Sequence, residues 1–150
     1  MHRPAGGCAL GPAAAREWGL VLAPGDGTLY AANPALGLVV EIDTADPGVR
    51  RTARIPRGAV GTSPRLAVAP DGRTLYVPTA GGVVAVDTST LAVRRTLLRG
   101  HRVSAVVASG RRVYAQDGAV VALDAASGAV LRRLETSAPP AALAAVLPAR

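Results

Sequence analysis

Three stretches of this chain can be laid over one another. Leu20–Pro24 is followed by Gly25-Asp26-Gly27 and Thr28-Leu29-Tyr30. Leu66–Pro70 leads into Asp71-Gly72-Arg73 and Thr74-Leu75-Tyr76, and Val103–Ala108 into Ser109-Gly110-Arg111 and Arg112-Val113-Tyr114. All three tyrosines of the chain fall at one position of this unit. Downstream, Val39-Val40-Glu41-Ile42-Asp43 matches Val83-Val84-Ala85-Val86-Asp87 and Val120-Val121-Ala122-Leu123-Asp124. Each Asp then leads through a short polar turn to an Arg pair: Arg50-Arg51, Arg94-Arg95, Arg132-Arg133. Tyr-to-Tyr spacings are 46 and 38 residues, and Asp-to-Asp spacings are 44 and 37. A repeat of this length restricts the chain to stacked copies of one small unit, because a single copy cannot bury its own apolar face.

Each unit reads as four short strands, A to D. In the second these are Leu66–Ala69, Thr74–Pro78, Val83–Val86 and Val93–Leu98. The runs are β-branched, four to six residues long and punctuated by Gly and Pro, which suits strands and defeats helices. Asp71-Gly72 and Asp117-Gly118 mark tight hairpins, since Gly supplies positive φ and Asp tolerates or caps it. Four strands per unit near a 40-residue period define an all-β chain: a β-propeller built of four-stranded antiparallel blades. The links between blades are short but sufficient. The four residues between Leu98 and Val103 reach about 16 Å, and crossing three strand spacings takes about 14 Å.

The blades span about 18–58, 63–100 and 103–136. They lie between an Ala/Gly/Pro-rich segment, 1–17, and a tail, 137–150, in which Pro140–Pro148 looks like the first strand of a further blade. Propellers close with about four to eight blades. Three leave two blade faces uncovered, so the expectation is an incomplete ring that takes missing blades or self-associates.

The second unit, through Ala69-Pro70-Asp71-Gly72-Arg73-Thr74-Leu75-Tyr76-Val77 and Gly82-Val83-Val84-Ala85-Val86-Asp87-Thr88, resembles the YVTN-type propeller repeat. In the first unit, Tyr30-Ala31-Ala32-Asn33 stands where that family has its name-giving motif. The third unit, Val113–Asp117 through Ala122–Gly128, is more similar to quinoprotein-like propeller repeats, with Leu131-Arg132-Arg133 in place of their docking Trp. The resemblance implies a fold rather than an activity, because such propellers include binding proteins, surface proteins, lactonases and dehydrogenases.

Composition narrows the function classes. The net charge is +7, and all 17 basic residues are Arg. They are spread along the repeat as pairs, with no aromatic platform for bases, so nucleic acid is not the expected partner. Cys8 is the only cysteine, which excludes an intrachain disulfide and a thiolate metal site. No stretch has the ~20 apolar residues of a membrane-spanning helix. Met1–Glu17 lacks the apolar core of a signal peptide, so the chain as written reads as cytoplasmic, and as extracytoplasmic if its true start lies upstream.

Most residues of chemical interest are absorbed by the repeat. Asp43, Asp87 and Asp124 read as turn-closing carboxylates. The tyrosines read as packing between blades, and the Arg pairs as charge on the outer edge strand. Glu41, standing where the other units have Ala85 and Ala122, reads as an exposed strand residue. What remains is the rim that gathers the B–C and D–A loops. Asn33, Thr79, Gln116 and Asp117 come from the former, and Arg57, Arg99, His101 and Arg102 from the latter. These eight are the expected ligand-binding residues, because loops on a rigid scaffold carry function. No catalytic residue, metal ligand or cofactor is expected. The reading is a non-catalytic module that binds a protein or small ligand. Its alternative is a fragment of a propeller enzyme, lactonase-like or quinoprotein-like.

Overall fold

In the computed structural model, residues 17–135 are described. They form three four-stranded antiparallel sheets, each built in chain order. Blade 1 holds β1 (Gly19–Leu22), β2 (Thr28–Asn33), β3 (Leu38–Asp43) and β4 (Val49–Arg54). Blade 2 holds β5 (Ala67–Val68), β6 (Thr74–Thr79), β7 (Gly82–Asp87) and β8 (Val93–Leu97). Blade 3 holds β9 (Ala105–Ser109), β10 (Arg112–Gln116), β11 (Val120–Asp124) and β12 (Val130–Leu134). The segments 1–16 and 136–150, with Cys8 and the Pro140–Pro148 stretch, lie outside the described residues.

The repeat seen in sequence is a repeat of register. Tyr30 stands opposite Glu41, Tyr76 opposite Ala85, and Tyr114 opposite Ala122. Each third-to-fourth strand pair carries a register shift at the same place, after Glu41, Ala85 and Ala122. The inner strands of blades 2 and 3 approach in parallel, with Arg65 bridging to Ala105. Turn chemistry explains the hairpins: Asp71 Oδ1 accepts from the Arg73 N–H at 2.9 Å, and the Gly72 N–H donates to Ala69 at 2.8 Å.

Alternation along the strands gives every blade two apolar faces, as expected for sheets stacked on both sides. Leu75, Val77, Val84 and Val86 of blade 2 pack with Tyr30, Ala32, Val39 and Ile55. Val113, Ala115, Val121 and Leu123 of blade 3 pack in the same way with Tyr76, Val83, Ala85 and Leu97. The front face of one blade meets the back face of the next, twice over.

Charged residues reinforce this stacking. The Arg51 guanidinium donates to the carbonyls of Thr88 and Ser89 in blade 2, at 2.8 and 2.7 Å. At the matching position, Arg95 donates to Ala125 at 2.7 Å and to Ala126 in blade 3. The first Arg of each pair stays within its own blade, with Arg94 bonded to Asp87 at 2.7 Å and Arg50 at 3.7 Å from Asp43. The first two Arg pairs thus do more than charge an edge, since Arg51 and Arg95 staple neighbouring blades.

Two expectations are corrected here. Glu41 is buried, not exposed, and is held by two bonds of 2.8 Å from Arg51. Arg132-Arg133 is not equivalent to the earlier pairs: Ala122 stands opposite Arg132 as Glu41 stands opposite Arg51 and Ala85 opposite Arg95. Leu131 therefore occupies the place of Arg50 and Arg94. The expected turn role of the strand-end Asp residues holds. Asp43, Asp87 and Asp124 each accept from the backbone N–H two residues on, at 2.9, 2.8 and 3.0 Å.

Candidate functional site

The B–C and D–A loops meet on one rim through backbone bonds. Gly58 N–H donates to Pro34, Ala80 N–H to Gly58, and Gly100 N–H to Gly81, at 2.9, 2.9 and 3.0 Å. Val103 N–H reaches Thr79 at 2.9 Å, so each crossover lies against the hairpin of its neighbour.

The eight residues expected there divide into three groups. Asn33, Thr79 and Gln116 end their strands at matching places and are 0%, 3% and 8% exposed. Thr79 Oγ1 donates to Gly82 at 2.9 Å and accepts from the Gly81 N–H at 3.1 Å, while Asn33 Oδ1 accepts from Leu36 at 3.2 Å. The Asn33 and Thr79 side chains close their hairpins under the rim surface, which suits the sharp turn each of these B–C loops must make.

Arg57 and Arg99 are exposed on successive crossovers and flank one cleft of about 320 Å³, lined also by Pro56, Thr79 and Gly81. Among the described residues neither Arg has a carboxylate within salt-bridge distance. Arg102 spans the two crossovers, donating to the Ala59 carbonyl at 3.1 Å.

His101 and Asp117 come together, with Nδ1 to Oδ2 at 3.0 Å. Arg133, which the sequence reading missed, completes this group by clasping both Asp117 oxygens at 3.1 and 3.0 Å. Burial pushes the Asp117 carboxyl up. The bonds from Arg133, the Ala119 N–H and His101 outweigh it, leaving the carboxyl below its ordinary range. The Asp117 side chain is almost fully covered, so its role is to fix His101 and Arg133 at the surface.

A second omission is Glu17. It is buried, and its carboxylate accepts from the Val60 and Gly61 N–H groups at 2.9 Å each, pinning the first crossover. Beside it, Trp18, Ser63, Arg65, Ser104 and Gln116 line an axial cleft of about 460 Å³ on the same rim. Only proximity in the fold reveals Glu17 as a loop anchor, since no other unit has a counterpart. Among the described residues no group of three or more His, Cys, Asp and Glu side chains is arranged to hold a metal ion, and no helix is long and apolar enough to cross a membrane.

Solved structures bear out the architecture. The chain resembles Kuenenia stuttgartiensis hydrazine synthase with a TM-score of 0.73 and 21% identity, over 92% of this chain and 40% of that one. It resembles the RRP9 WD40 repeats at 0.69 and 16%, over 83% and 40%, and Saccharomyces cerevisiae Sqt1 at 0.69 and 15%, over 83% and 37%. At these identities the likeness shows the fold alone: the described chain is a β-propeller segment of three four-stranded blades. It spans about two fifths of each of these structures. No family model matches the sequence, and no curated protein sequence matches it.

Proposed function

We propose that this chain is a non-catalytic propeller module that binds a carboxylate-bearing protein segment on the B–C/D–A rim. Within propellers, the run Ala69–Val77 supports reading the repeat as YVTN-type. The observation that carries the binding reading is the pair Arg57 and Arg99. Two exposed guanidiniums on successive crossovers flank one cleft, and no carboxylate of the described residues pairs with either. Guanidiniums in that arrangement recognise carboxylates through paired hydrogen bonds. Arg102 adds a third positive charge beside them, and the axial cleft at Trp18 extends the surface.

A glutamate-rich peptide titrated into the purified 150-residue chain tests this, read by calorimetry and by the emission of Trp18, the only tryptophan. The expected result is saturable binding that weakens with added salt, and a loss of at least about tenfold in Arg57→Glu and Arg99→Glu, one charge-assisted bond being worth about 1.5–3 kcal/mol. Absence of binding, or binding indifferent to both substitutions, contradicts the proposal.

A further inference from the structure

The two blade interfaces repeat the same residue positions, which makes the two uncovered faces comparable with them position by position. On the front face, Leu97 of blade 2 is 4% exposed, while Leu134 at the same place in blade 3 is 46% exposed. Tyr30 and Tyr76 are buried, and Tyr114 is only half-buried. On the back face, Leu66 and Val106 are 7% and 2% exposed, while Leu20 at the same place in blade 1 is 63% exposed. The staple follows suit. Arg51 and Arg95 each hold two carbonyls of the following blade, and their counterpart Arg132 is exposed with no such carbonyl among the described residues. The turn that matches Thr88-Ser89 and Ala125-Ala126 is Thr44-Ala45 in blade 1, exposed and reached by no guanidinium of the described residues.

We propose that the front face of blade 3 and the back face of blade 1 are the two halves of one interface, and that a second copy of this chain fills both. Each half carries what the other requires, an Arg donor against a pair of turn carbonyls and a Leu against an apolar sheet. A second copy brings both faces ready formed. Two copies related by a two-fold axis repeat this contact twice, and their six blades fall within the number that closes a propeller. Arg132 of one copy then donates to the Thr44 and Ala45 carbonyls of the other. Leu134 meets Pro47, as Leu97 meets Gly128, where an added Cβ would fall 2.7 Å from the Leu97 side chain.

Light scattering and sedimentation of the 150-residue chain read the outcome directly. The expected species has twice the chain mass. Arg132→Glu and Leu134→Asp, both exposed and outside the intrachain interfaces, weaken association at least tenfold while leaving the strand signal in circular dichroism unchanged. In a Cys8→Ser background, Pro47→Cys with Leu134→Cys yields a covalent dimer with a short bis-maleimide, and neither single variant does. A monomer with a cooperative melt overturns the proposal. So does a mass that grows without limit with concentration, or a dimer indifferent to both substitutions.

Discussion

The most informative single residue is Glu41, because it breaks the repeat at a buried position. Arg51 beside it holds the carboxyl below its ordinary range, against the opposing effect of burial, and Tyr30 Oη adds a longer contact at 3.4 Å. Removing only the cation leaves a buried carboxylate with no more than the Tyr30 contact and cuts a staple to blade 2. Arg51→Ala is therefore expected to lower unfolding stability by about 2 kcal/mol. Glu41→Ala, which restores the residue found in blades 2 and 3, costs less than half as much. The folded carboxyl binds its proton more weakly than the unfolded one does. Its contribution is present above the ordinary range near pH 4.5 and fades as pH falls through the folded value. Denaturant melts between pH 7 and pH 3 should thus show a smaller acid-induced loss in Glu41→Ala than in the parent. The sequence pointed to Glu41 as an exception but not to its burial, because the staple that neutralises it comes from the neighbouring strand and ends in another blade. The roles of Asp43, Asp87 and Asp124 were legible, since a carboxylate closing its own turn needs only local chain.

Among the elements, strands and hairpins were easier to read than loops. β6, β7 and β8 lie within a residue or so of their expected places, while β5 is only Ala67–Val68. The third Arg pair misled because the eye aligns like charges. Val49, Val93 and Val130 each follow their Asp by six residues, and counting from Asp would have set Arg132 beside Arg51 and Arg95. Which polar side chains the rim loops bury depends on contacts between blades that no single repeat encodes. Gly82 shows how tightly strands pack within one blade. It has φ of +133°, and a Cβ there would strike the carbonyl oxygen of Leu97 and lie 2.9 Å from that of Leu98. Gly82→Ala should cost about 2–3 kcal/mol, read as a lower urea midpoint. Gly81→Ala, whose Cβ would meet only the Thr79 hydroxyl at 3.9 Å, should stay near the parent.

For the whole molecule, repetition explains how the blades hold together. Three blades stack because each offers one face to the next and a guanidinium to the turn beyond it. The same order leaves one rim free to carry exposed Arg side chains on crossovers that are braced from below. The three blades and the all-β class were visible in the sequence; the braces were not, as they join residues such as Glu17 and Gly61 that are distant in the chain. All of this rests on one claim, that the repeat of sequence is a repeat of strand register. Long-range nuclear Overhauser contacts in the labelled chain measure it most directly. Cross-strand contacts are predicted between Tyr30 and Glu41, Tyr76 and Ala85, and Tyr114 and Ala122. Their absence, or a slip of one residue in any of the three pairs, would contradict the three-blade account.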